Sequence, residues 1–131
     1  MDAADVVRAF CDAVGRKDLG TVEQLMDEQV VYHNIGMEAT VGRDASLAAV
    51  KSLFEMFEPI SFQIRNLAAD GDVVLTERVD EITANGVTAP MPVMGAFEVR
   101  DGRILHWRDY FDAGLIGKLM AGDDASALLS R

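Results

Sequence analysis

The chain has 131 residues, half of them hydrophobic, and a formal charge of −10. That size suits one domain, 1–131, with a substantial core, and the charge argues against nucleic acid and anionic membrane as partners. The single cysteine, Cys11, rules out an internal disulfide, and no run is long and apolar enough to span a bilayer as a helix.

At the start, Val6, Val7, Phe10, Ala13 and Val14 recur at helical spacing behind Asp2, a good N-terminal cap. Cys11 falls among these apolar positions and reads as packing rather than a reactive thiol. The segment lacks a basic flank and a signal-peptide core, so a cytoplasmic protein is expected. A short second helix, roughly 19–26, follows Asp18 as its cap, and "QVVYHNI" is a strand candidate. "GMEATVGRD" then turns back. Asp44 is the expected cap of a third helix, which carries Leu47, Val50, Leu53, Phe54 and Phe57 and stops at Pro59.

From Ile60 the period changes to that of strands. Asp70-Gly71, Asn85-Gly86 and Asp101-Gly102 are hairpin signals. They predict a four-strand antiparallel meander near 60–69, 72–83, 88–99 and 103–111. A last helix, about 113–121, holds Leu115, Ile116, Leu119 and Met120, and 122–131 reads as a weakly ordered tail. Helices followed by a sheet make an α+β domain.

In the final strand Leu105, Trp107, Asp109 and Phe111 share a face, so a carboxylate stands among residues that want burial. Registers suggest its partner. A two-residue loop at Asn85-Gly86 pairs Arg78 with Val93, Asp80 with Met91 and Ile82 with Ala89. A three-residue loop around Gly102 keeps the apolar residues of the last two strands on one face, and pairs Val93 with Asp109. Arg78 then lies two strands from Asp109, roughly 10 Å, with Asp80 about 7 Å along its own strand. Glu77 and Glu81 point outward. A cluster of Arg78, Asp80 and Asp109 on an apolar face fits either a structural ion pair or an active site.

"VYHNI" with Tyr32 and Asn34, "TERVDEI" with Arg78 and Asp80, and "WRDYFD" with Asp109 resemble the limonene-1,2-epoxide hydrolase family, in order, context and approximate spacing. The likeness runs from about Val6 to Met120 and includes "PVMGAFEVRDGRI". It implies a cone-like α+β fold of the nuclear transport factor 2 (SnoaL-like) type. In that fold a strongly curved mixed sheet carries three to four helices on its concave face. It also implies a homodimer, no cofactor and no metal, with a hydrophobic epoxide and water as reactants. The roles it implies are Asp109 as general base, Asp80 as general acid, Arg78 bridging both, and Tyr32 with Asn34 positioning the water. The product is a vicinal diol formed without a covalent intermediate.

The residue types suit that chemistry. Water is a poor nucleophile and an epoxide leaves as an alkoxide, so one carboxyl must be charged and the other protonated. Leu53, Phe57, Ile82, Val93, Trp107, Phe111 and Ile116 are the expected pocket wall, each equally readable as core. His33 faces away from Tyr32, and His106, Arg108 and Tyr110 share the outer face, a possible dimer surface. Two histidines and one cysteine without ligand spacing indicate no metal site. A ketosteroid-isomerase-like or polyketide-cyclase-like enzyme needs no arginine between two aspartates. A non-catalytic binding or dimerisation module needs none of the five polar residues. The fold by itself is compatible with both.

Overall fold

Asp2 caps the first helix, α1 (Ala3–Gly15), by accepting from the Asp5 N–H at 2.8 Å, and the Asp5 carboxylate accepts in return from the Asp2 N–H. In the computed structural model, which describes residues 1–129, α1 lies against the inner face of a sheet and buries Val6, Val7, Phe10, Cys11 and Val14. Asp18 caps α2 (Leu19–Leu25) with bonds from the N–H and hydroxyl of Thr21. Between them Lys17 takes a positive φ of 52° and donates its ammonium to the carbonyls of Phe54 and Phe57 at 2.7 and 2.6 Å. A cation there satisfies the last carbonyls of the third helix and suits its dipole.

After β1 (Met26–Asn34), the stretch expected only to turn back contributes a two-residue strand, β2 (Thr40–Val41). The helix that follows is α3 (Arg43–Met56), and its cap is Gly42, not Asp44. Gly42 has a φ of 95°, which glycine adopts without strain, and its N–H is drawn to the Val30 carbonyl at 2.7 Å. Asp44 sits inside the first turn instead, where its charge still favours the helix.

The meander follows as expected: β3 (Ile60–Asp70), β4 (Val73–Ala84), β5 (Val87–Arg100) and β6 (Arg103–Tyr110). The sheet is curved and mixed, in the order β2-β1-β6-β5-β4-β3, with β1 parallel to β6 and every other pair antiparallel. Then come α4 (Ala113–Met120), packed along β5, and α5 (Ala125–Leu128). Asp112 and Asp124 cap them. The end of the segment read as a tail, 130–131, lies outside the described residues.

One register departs from expectation. Asn85-Gly86 pairs Arg78 with Val93 and Asp80 with Met91, as its loop length requires. At Asp101-Gly102 the loop has two residues, not three: both have positive φ, 51° and 75°, and Arg100 pairs with Arg103. A bulge at Leu105 then supplies the extra residue, between the Val99–Ile104 and Glu98–His106 pairs. The expected side of β6 is kept, but each partner is two positions away from the one predicted. Trp107 faces Phe97, and Asp109 faces Gly95 rather than Val93. Ile104 takes the buried place expected for Leu105, which is half-buried.

Candidate active site

Strand alternation on β4 turns Val74, Thr76, Arg78, Asp80 and Ile82 to the inner face, all buried, and leaves Glu77 exposed. Arg78 has no exposed side-chain surface. An arginine survives there only if its charge and its five N–H groups are answered. Its Nε and Nη2 donate to Asp80 Oδ1 and Oδ2 at 2.9 and 2.8 Å. Its Nη1 and Nη2 donate to Asp109 Oδ1 and Oδ2 at 3.1 and 3.0 Å. These are two bidentate forks on one guanidinium, the strongest geometry such a pair has. The fifth N–H, on Nη1, donates to Thr76 Oγ1 at 3.2 Å.

The forks exist because β5 makes room for them. Gly95 stands opposite both Thr76 and Asp109, on the two strands that flank it. A Cβ on Gly95 would run into Arg78 Nη1 and come within 2.9 Å of both Asp109 Oδ1 and Thr76 Oγ1. Aromatic rings close the rest of the space. The guanidinium carbon lies 4.7 Å from the Phe62 centroid and 5.9 Å from that of Phe97, a cation–π arrangement.

Tyr32 and Asn34 reach the cluster from β1. The parallel pairing of β1 with β6 sets Tyr32 beside Trp107 and Asn34 beside Asp109, and the Ile35 N–H donates to the Asp109 carbonyl at 2.9 Å. The Tyr32 ring stacks on Trp107 at 3.8 Å between centroids. Asn34 Nδ2 donates to the Tyr32 hydroxyl at 3.2 Å. That leaves the Tyr32 hydroxyl proton and Asn34 Oδ1, a donor and an acceptor side by side, without a partner among the described residues, together with the second N–H of Asn34 Nδ2. They line a recess of about 260 Å³ with Met37, Glu38, Thr40, Ala49 and Leu53. A larger groove, about 1150 Å³, lies on the outer face of the sheet among Glu77, Pro92, Met94 and Tyr110. Arg78 and Val93 also border that groove, Tyr32 and Asn34 border the recess, and Asp80 and Asp109 line neither.

Burial sets the protonation states. Removal from water pushes the Asp80 carboxyl up to about 6, against the bonds and charge of Arg78 that pull it down, and with the Asp109 charge adding to the rise. Burial opposes the Arg78 charge, but its bonds to Asp80 and the charge of Asp109 hold it cationic beyond the ordinary arginine range. Burial, then the nearby Asp109 charge, push the Tyr32 phenol up to about 12, so it remains a donor. Burial likewise takes the Cys11 thiol up to about 12, which fits its role as packing.

The five polar residues singled out in the sequence thus converge from three strands. Of the seven apolar residues expected around them, Leu53 lines the recess. Ile82, Val93 and Trp107 are core, and Phe57, Phe111 and Ile116 pack against it. His33 is satisfied locally, its Nε2 2.8 Å from the Met37 carbonyl. Phe62, Thr76 and Gly95 were missed. Thr76 shares the face and strand of Arg78, and a glycine inside a strand marks a close approach, so both carried a signal. Among the described residues no cluster of His, Cys, Asp and Glu has the makings of a metal site.

Known proteins are similar to this chain in sequence and fold. A family model for the limonene-1,2-epoxide hydrolase catalytic domain matches residues 1–121. Epoxide hydrolase EphG of Mycobacterium tuberculosis is 37% identical over 124 residues, covering 88% of this chain and 80% of that protein. The structure of an M. tuberculosis LEH-like epoxide hydrolase superposes with a TM-score of 0.83 at 33% identity, over 92% of this chain and 90% of that one. A SnoaL-like protein from Shewanella denitrificans superposes at 0.84 with 12% identity, over 92% and 98%, a likeness of fold alone.

Proposed function

The chain belongs to the limonene-1,2-epoxide hydrolase family and is an epoxide hydrolase, and from that premise we propose that it opens a hydrophobic epoxide in one step, without cofactor, to a vicinal diol. Asp109 is the general base and takes a proton from water. Tyr32 donates a hydrogen bond to that water and Asn34 Oδ1 accepts one from it, which turns a lone pair toward the substrate. As the water oxygen bonds to the epoxide carbon, the C–O bond breaks and Asp80 gives its proton to the departing oxygen. The proton gained by Asp109 must then return to Asp80, and Arg78 lies between them, bonded to both.

The single observation that carries this reading is the double fork of Arg78 on Asp80 and Asp109. Two carboxyls and one guanidinium in a dry site balance when the carboxyls share one proton, which is the acid–base pair the reaction needs. Positioned acid and base groups each contribute about 10² to 10⁴-fold. Leu53, Ala49 and Met37 give the recess an apolar wall, which supports a hydrophobic substrate such as a terpene, cycloalkene or lipid epoxide. The exposed Leu75, Met94 and Tyr110 on the outer sheet face support a homodimer formed there, and light scattering of the purified chain tests it.

The mechanism is tested with limonene oxide or cyclohexene oxide in ¹⁸O-labelled water, with enzyme in excess. Labelled diol in the first turnover is the expected result. Unlabelled diol would mean that a carboxylate attacked and an ester formed, and no diol from any epoxide would remove the reading.

A further inference from the structure

We propose that Thr76 is a positioning residue for the hydrolysis: it is the one acceptor that holds the Arg78 guanidinium in place while Asp80 and Asp109 exchange protonation states. This rests on the roles assigned above to the two aspartates.

Thr76 is fully buried on the inner face of β4, two residues before Arg78. Four of the five guanidinium N–H groups go to carboxylate oxygens, and the fifth goes to Thr76 Oγ1. The Thr76 hydroxyl proton is itself directed, along a long 3.4 Å bond, to the Gly95 carbonyl. A hydroxyl that donates elsewhere turns a lone pair to its donor, so Thr76 is fixed as an acceptor.

The difference among the three partners is chemical. In one turnover Asp80 goes from acid to carboxylate and Asp109 from carboxylate to acid, and then both revert. A guanidinium is drawn more strongly to a carboxylate than to a neutral carboxyl, because two full opposite charges attract at short range. The pull on Arg78 therefore swings from Asp109 to Asp80 and back. The bond to Thr76 does not change, because a hydroxyl has no proton to exchange in this range. It anchors Nη1, the nitrogen that also serves Asp109. The Gly95 gap lets the guanidinium sit there, and Thr76 keeps it there.

The titratable groups packed around Arg78 are Asp80 on its own strand, Asp109 on β6, Tyr32 on β1 and Cys11 on α1. Tyr32 and Cys11 remain neutral through the working range, so neither contributes to a pH response there.

Three variants and one spectrum test this. Thr76→Val keeps the shape and loses the acceptor. Its kcat on cyclohexene oxide should fall about 10- to 100-fold with KM little changed, and its pH limb should shift. Thr76→Ser restores the hydroxyl and should restore both kcat and the limb. A folded Thr76→Val enzyme with wild-type kcat and pH profile overturns the proposal. So does a Thr76→Ser enzyme as slow as Thr76→Val, since shape would then be what matters. Thr76→Ala, which is smaller, gives the same comparison where the valine does not fold. The spectrum needs neither a variant nor a substrate. In ¹⁵N-arginine-labelled wild-type protein, the Arg78 N–H toward Thr76 should hold its position from pH 5 to 8 while those toward Asp80 move. Equal movement of all of them overturns the anchor. A steady anchor in a protein that opens no epoxide would instead count against the reaction proposed above.

Discussion

Asp109 stands directly opposite Gly95 across the β5–β6 ladder, and the side chain missing from Gly95 is the space that the Arg78 guanidinium fills. A charged centre this dry depends on a vacancy one methyl wide. Gly95→Ala should keep its backbone, since Gly95 is not among the glycines with positive φ. It should nevertheless lose about 1–3 kcal/mol through overpacking and most of its turnover, because the forks cannot both close. Paired thermal melts and single-turnover rates check this. Full activity in Gly95→Ala would mean that the guanidinium can do its work from another position.

Replacing either carboxyl with its amide removes proton transfer while keeping the shape. Asp109→Asn removes the proposed base and Asp80→Asn the proposed acid, and each should cost at least about 10²-fold in diol formation. Circular dichroism should show both folded. Near-normal turnover in either would reverse the role assigned to it.

Arg78→Ala should be worse for the fold than for any single step. It strands two carboxyls that are almost fully buried, Asp80 at 8% and Asp109 at 4% exposure. Breaking such a network by removing one partner costs about 3–5 kcal/mol. Denaturant melts should show that loss together with lost turnover. A stable Arg78→Ala protein would show that water reaches the aspartates far more freely than their burial indicates.

The protonation of Asp80 gives two pH signatures. In its proposed role as the acid it must carry a proton, so kcat should decline as pH rises above about 6. Stability should move in the same direction. A carboxyl held above its unfolded value keeps the folded state more protonated than the unfolded one, so its contribution is full below about 4 and is lost as pH rises through about 6. Asp80→Asn does not titrate at this position. The melting temperature of wild type relative to Asp80→Asn should therefore fall between pH 4 and pH 7. A difference that rises over that interval would mean that Arg78, not burial, dominates Asp80.

The parts of this site that could be read in the sequence were those set by local rules. Asn85-Gly86 specifies its own loop length, and with it the approach of Arg78, Asp80, Val93 and Met91. The helix starts at Asp2 and Asp18 follow from side-chain oxygens that reach back to orphan N–H groups. Asp44 failed as a cap because Gly42 takes a backbone shape that satisfies Val30, a contact distant in sequence. The bulge at Leu105 was invisible because an extra leucine in a strand looks like any other leucine. Thr76 escaped notice because its importance comes from Arg78 and Gly95, and a threonine in a strand is otherwise ordinary.

That extra leucine has a consequence for how this hairpin can vary. Side chains in a strand have only two directions, so one residue gained or lost between Gly102 and Trp107 turns the rest of β6 over. Trp107 and Asp109 would go to water, and His106, Arg108 and Tyr110 would go into the core. A change of two residues only slides the strand along its neighbour. The hairpin behaves as a parity lock: even edits to its length move Asp109, and odd edits evict it.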